Sequence, residues 1–186
     1  MDTEDRRLAV IFPGIGYTAD RPLLYYAKKL ALRHGFSVID VPYTGFPAGA
    51  KGSRENLRKA FDFALPQTET LLSAVDFSAY SQIVFISKSI GTAIAAAYTE
   101  RHALCTRNIY FTPLELTFDF PVQEGIAFHG TADPWVETDV LSSLCKAHSL
   151  PLHIVAGANH SLETGDVLSD IKNLQSVMRI VDDFFA

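Results

Sequence analysis

The stretch Ile83-Val84-Phe85-Ile86-Ser87-Lys88-Ser89-Ile90-Gly91-Thr92-Ala93-Ile94-Ala95-Ala96-Ala97-Tyr98 decides how this chain is read. Its first four residues are β-branched or aromatic and bounded by polar ones, which predicts a buried strand. From Thr92 the run rich in Ala predicts a helix, so strand turns into helix within a few residues around Ser89. A serine on such a turn has its hydroxyl raised above the carboxyl edge of a sheet, next to a helix N-terminus whose amides can hold a developing oxyanion. That is the physics of the nucleophile elbow, G-x-S-x-G, in which small residues two before and two after the serine let strand and helix approach closely. Gly91 fills the second small position and Ser87 substitutes for the first. The plain alternative is a serine acting only as a helix N-cap; Gly91 and the strand–turn–helix context argue for the elbow.

The 186 residues suit a single domain over 1–186, with 1–7 expected as a loose N-terminus. A chain of this size can bury about 70% of its unfolded surface. With 48% hydrophobic and 20% charged residues the composition is that of a globular protein. A net charge of −5 and the lack of any basic run argue against a nucleic-acid partner. The apolar run Leu8 to Phe12 is too short for a signal core or a membrane span, so a cytoplasmic protein with no membrane contact is expected. Cys105 and Cys145 have neither metal-ligand spacing nor a disulfide framework around them, and are expected as partly buried free thiols.

Outward from the central stretch, strand and helix patterns alternate, the mark of a mostly parallel sheet with helices on both faces. Strands are expected at Leu8 to Phe12, Ser37 to Val41, Ile83 to Ile86, Asn108 to Phe111, Gly125 to His129 and Leu152 to Val155. Helices are expected from Leu23 to Leu32 behind an Asp20 cap, from Ser53 to Leu72 with an interruption at Pro66, after Gly91 to His102, from Asp139 to Ala147, and from Val167 to Phe184. The loop from Tyr43 to Gly52 follows the second strand. The result is a single α/β domain, a three-layer α/β/α sandwich around six strands. Thr112 to Glu124, with Pro113 and Pro121, has no room for a long helix.

In an open parallel sheet the ligand site lies beyond the carboxyl ends of the strands. Ser89, Asp133 and His160 follow the third, fifth and sixth strands, so all three reach that edge. A serine hydroxyl needs an adjacent imidazole to take its proton, and the imidazole needs a carboxylate to fix its tautomer. Four motifs carry a resemblance: Phe12-Pro13-Gly14-Ile15-Gly16, Ser87-Lys88-Ser89-Ile90-Gly91, His129-Gly130-Thr131-Ala132-Asp133-Pro134-Trp135-Val136 and Gly157-Ala158-Asn159-His160-Ser161. With the order Ser, Asp, His, the chain resembles a small α/β-hydrolase over nearly its whole length, close in pattern to dienelactone-hydrolase-like enzymes and to minimal, lidless bacterial esterases. The resemblance implies Ser89 as nucleophile, Asp133 as acid and His160 as general base, with oxyanion N–H donors at Ile15 and Ile90. Two departures stand out: Ser87 for the usual glycine, and Pro13 where relatives often have histidine. Dienelactone hydrolases proper use a cysteine nucleophile, so their activity does not transfer to Ser89.

Glu115 and Asp119, after the fourth strand, are rival positions for the acid, and Asp133 has the plain alternative of a turn residue before Pro134. His34, His102 and His148 fall in or beside helices and His129 and His153 within strands, where surface or core roles are expected; only His160 stands in a late post-strand loop. Tyr17, Phe46, Lys88 and Trp135 are candidates for lining a substrate pocket; Lys88, beside the nucleophile, would there favour an anionic substrate, but a solvated side chain at the rim is the plainer expectation. The implied activity is hydrolysis of a small carboxylic ester or thioester through an acyl-enzyme, with no metal or organic cofactor and no cap domain. The alternative is a non-catalytic protein of the same fold that binds a small molecule or a partner.

Overall fold

The computed structural model describes residues 6–46 and 53–186. Residues 1–5 of the expected loose terminus and 47–52 of the expected loop lie outside this range, while Arg7 already opens the first strand. Among the described residues six strands are formed: β1 (Arg7–Phe12), β2 (Phe36–Asp40), β3 (Gln82–Lys88), β4 (Arg107–Phe111), β5 (Gly125–Gly130) and β6 (Leu152–Val155). They make one sheet in the order β2-β1-β3-β4-β5-β6, and every pair is parallel. In the same described residues five α-helices alternate with them: α1 (Pro22–Arg33), α2 (Arg54–Leu72), α3 (Ile90–Arg101), α4 (Thr138–Ala147) and α5 (Val167–Phe185). The connection from β4 to β5 carries only a 3-10 turn at Glu115–Asp119, so no cap is inserted there.

Why the central strands are continuous apolar runs is plain from β1. Leu8, Val10 and Phe12 point into a core shared with α2, α3 and α4, whereas Ala9 and Ile11 point into a second core shared with α1 and α5. Successive side chains of a strand face opposite sides, and here both sides are dry. Helix α3 lies inside the first layer, with every residue from Ile90 to Thr99 buried. Among the described residues no helix is long and apolar enough to cross a membrane.

Two expectations about helices need correction. Helix α1 is preceded by Arg21 rather than capped by Asp20, with Pro22 in its first turn. Helix α2 is not interrupted: Pro66 sits inside it with its ring exposed. An interior proline costs about 3 kcal/mol, but α2 buries Phe61, Leu65 and Leu72 against the core, each contributing about 1.5–3 kcal/mol. Packing therefore outweighs the missing hydrogen bond. At its start Ser53 caps the helix, its hydroxyl accepting the Asn56 N–H at 3.2 Å. The thiols also separate: Cys105 is exposed, while Cys145 is buried in the core, which pushes its pKa up to about 11.

Candidate active site

The sheet order reverses at β1: β2 lies on one side of it and β3 to β6 on the other. Consequently α1, after β1, packs with α5 on one face, and α3, after β3, packs with α2 on the other. The loops leaving β1 and β3 diverge, and a crevice opens between them beyond the strand ends. Ser89 and Ile15 stand at its two sides.

Ser89 links β3 to α3 with φ 55° and ψ −124°, a backbone region that costs a non-glycine residue about 1–3 kcal/mol. Two neighbours hold it there. Its N–H donates to the Phe111 carbonyl of β4 at 3.0 Å, and Gly91 lets α3 press against β1. A Cβ on Gly91 would lie 2.2 Å from the Phe12 carbonyl oxygen and 2.5 Å from that of Pro13. Ser87, at the other small position, is fully buried, and its hydroxyl donates to the Ile109 carbonyl at 3.2 Å. The substitution for glycine thus brings its own acceptor.

Although Ser89 occupies the cap position of α3, its side chain makes no capping bond. Its Oγ lies 2.8 Å from His160 Nε2, and His160 Nδ1 lies 2.7 Å from Asp133 Oδ2. An ionised carboxylate only accepts, so Nδ1 carries the imidazole proton and Nε2 is left to accept the Ser89 hydroxyl. Asp133 Oδ1 accepts the Trp135 N–H at 2.9 Å. Burial would raise the Asp133 pKa, but the His160 hydrogen bond, the Trp135 amide and the charge that His160 and His129 carry when protonated outweigh it and hold the carboxyl below its ordinary value. Asp133 is therefore ionised at neutral pH. Of the rival acids, exposed Asp119 pairs instead with Arg58 at 3.5 Å.

The loop carrying His160 is held from three sides. Thr112 Oγ1, at the end of β4, donates to the His160 carbonyl at 3.1 Å. Asn159 Oδ1 accepts the amides of Ser161 and Glu163 at 2.7 and 3.2 Å. Gly130 lies so close to this loop that a Cβ there would meet the Ala158 carbonyl oxygen at 2.2 Å.

Around Ser89 is a pocket of about 110 Å³, walled by Ile15, Tyr17, Lys88, Trp135 and His160, with Gly16, Leu57 and Ser161 completing it. Ile90 is the first residue of α3, so its N–H is among those left without an intrahelical partner. Ile15 lies in a tight turn closed by paired Gly14 and Tyr17 hydrogen bonds of 3.1 and 3.2 Å. Tyr17 and Trp135 line this pocket; the Tyr17 oxygen accepts the Leu23 N–H at 3.1 Å, and burial pushes its pKa up to about 12. Lys88 also lines the pocket, but not as a solvated side chain at its rim. Rather than standing in solvent it is 1% exposed, with its ammonium 5.0 Å from the centre of the Tyr17 ring. Phe46 is not part of this pocket. It packs against Tyr43 and Phe63 and lines a separate cavity reaching Gly14 and Asp20.

Three neighbours escaped sequence reasoning. Leu57 comes from α2, whose helical pattern reads only as core. Thr112 has no local motif, since its partner lies 48 residues away. His129 reads as a core residue and is one, fully buried with Nε2 3.1 Å from Thr138 Oγ1. Yet its Nδ1 has no hydrogen-bond partner and faces Asp133 Oδ2 at 3.9 Å. The H-G-x-x-D spacing, four residues from histidine to acid, is the signal that pointed there. Among the described residues no group of three His, Cys, Asp or Glu side chains is arranged to hold a metal ion.

No family model matches the chain, and no curated protein matches its sequence. Solved structures do match in fold. An alpha-beta serine hydrolase homologue from Coxiella burnetii superposes with a TM-score of 0.68 at 14% identity, over 98% of this chain and 86% of the other. A serine hydrolase without lid from Xanthomonas campestris gives 0.66 at 13% identity, over 96% and 82%. Est1E from Butyrivibrio proteoclasticus gives 0.66 at 14% identity, over 97% and 87%. Six parallel strands in one sheet, helices on both faces, a strained elbow after β3 and these likenesses lead to one conclusion: the chain has the α/β-hydrolase fold in a minimal form without a cap.

Proposed function

We propose that this chain is a serine hydrolase that cleaves a small carboxylic ester or thioester through an acyl-enzyme. The observation that carries the reading is the unbroken relay from Ser89 Oγ through His160 to Asp133, at 2.8 and 2.7 Å, built on a strained elbow. Strain of this kind persists only where surrounding structure holds it, and it concentrates at functional sites.

In the reaction His160 Nε2 takes the Ser89 proton as Oγ attacks the carbonyl carbon. The N–H groups of Ile15 and Ile90 receive the oxyanion; removing one such donor typically costs ~10²–10³ in kcat. The imidazolium formed is stabilised by Asp133, whose ionisation its surroundings favour. Collapse of the tetrahedral intermediate breaks the bond to the leaving alcohol or thiol, which takes the proton from His160. Water then attacks the acyl-enzyme with His160 again as base, releasing the acid and restoring Ser89.

The test is labelling by a fluorophosphonate probe together with turnover of p-nitrophenyl acetate, wild type against Ser89→Ala. Labelling and turnover that both disappear in the variant are the expected result. A folded wild type that resists the probe and leaves the ester intact would overturn the reading.

A further inference from the structure

The pocket over Ser89, at about 110 Å³, is well below the ~300 Å³ at which cavities begin to enclose a whole small molecule. A substrate must therefore extend beyond it. Leu57 and Trp135 wall this pocket and also wall a second cleft of about 310 Å³ between the start of α2 and the Glu115–Asp119 turn. Its remaining apolar lining is Leu114, Leu116 and Val136, and Leu57, Leu114 and Val136 are buried. Its charged lining is the half-buried Glu115, whose carboxylate disfavours an anionic acyl group, and the exposed Arg58 and Asp119, which pair across 3.5 Å. Ser161, on the His160 loop, lines both the Ser89 pocket and a separate groove walled by the first turns of α5.

Which part of an ester goes where follows from the proton. The leaving group must accept it from His160, so it departs on the side of the His160 loop, toward Ser161. The acyl group stays bonded to Ser89 Oγ and is left with the cleft behind Leu57 and Trp135. We infer that this cleft is an acyl-binding site for an uncharged, medium-length apolar acyl group, an assignment that rests on the serine-hydrolase reading above. The volume is at the low end of ligand-enclosing cavities, so a long chain overruns the Arg58–Asp119 pair into water.

The experiment compares kcat/KM for p-nitrophenyl acetate, hexanoate, octanoate and dodecanoate on the full chain. One methylene in an apolar pocket is worth about tenfold or more in discrimination, so hexanoate is expected to exceed acetate by at least ~10-fold, with no further gain for dodecanoate. Leu116 lines the cleft but not the Ser89 pocket. In Leu116→Trp, which fills the cleft, the hexanoate-to-acetate ratio is expected to fall at least ~10-fold. In Val136→Ala, which enlarges it, the octanoate-to-hexanoate ratio is expected to rise. A flat acetate-to-hexanoate profile in a wild type that the fluorophosphonate labels would overturn the acyl site and leave the serine hydrolase standing. So would a Leu116→Trp protein with native circular dichroism that alters preference along a series of alkyl acetates instead. A wild type that the probe does not label removes both.

Discussion

Replacing Gly91 by alanine tests the packing on which the elbow depends. The added Cβ would stand 2.2 Å from the Phe12 carbonyl oxygen and 2.5 Å from that of Pro13, both backbone atoms at the end of the interior strand β1. Relief to an ordinary contact of 3.4 Å needs α3 and β1 to part by about 1.2 Å, and neither can tilt freely. Phe12 is fully buried, and so is α3 from Ile90 through Thr99. Overpacking a tight core typically costs 1–3 kcal/mol and occasionally more; two backbone clashes put this substitution near the top, at about 3 kcal/mol. For a domain of this length that lowers Tm by roughly 6–12 °C. The same displacement moves Ser89 relative to Ile15, on the loop after Pro13, and a 1 Å misplacement of reacting groups costs about 10²-fold. Urea unfolding and calorimetry read the first effect. The rate of fluorophosphonate labelling at a temperature where both proteins are folded reads the second. A Gly91→Ala protein with wild-type Tm and labelling rate would refute the close approach of helix and strand.

Two further outcomes can be checked. Asp133→Asn keeps an acceptor for the Trp135 amide but turns an NH₂ group toward His160, favouring the tautomer whose Nε2 carries the proton and cannot accept from Ser89. Ester turnover should fall by about 10⁴-fold in a folded protein, and a loss under tenfold would show that the carboxylate does not set the tautomer. His129 bears on pH. Burial lowers its pKa and the facing Asp133 carboxylate only partly offsets this, so the unfolded chain binds the proton more readily than the native one. The stability that depends on neutral His129 is then fully present above its unfolded pKa of 6.5 and is lost as pH falls below that value. His153, lowered by burial too, acts in the same window and is common to wild type and variant. His129→Gln should therefore flatten part of the decline in urea-unfolding free energy between pH 7.5 and about 5.5; an unchanged slope would mean that His129 is solvated or charged in the native state.

The elements that the sequence determined are those with local or topological causes. Continuous apolar runs such as Leu8 to Phe12, separated by helical periods, require a parallel sheet dry on both faces, and the observed strands begin and end within two residues of the expected limits. Because such a sheet gathers the carboxyl ends of its strands on one edge, Ser89, Asp133 and His160 had to share that edge. Whether they touch was not legible: His160 lies 71 residues from Ser89 and 27 from Asp133, and contacts at 2.8 and 2.7 Å depend on how the loops are buttressed. Thr112 and Gly130 supply that support from other strands. Tertiary packing likewise decided that Pro66 stays within α2, that Phe46 turns away toward Phe63, and that Lys88 lies buried against Tyr17. Each outcome is set by partners far away in the chain, where residue type and spacing carry no information about which side chain fills the space.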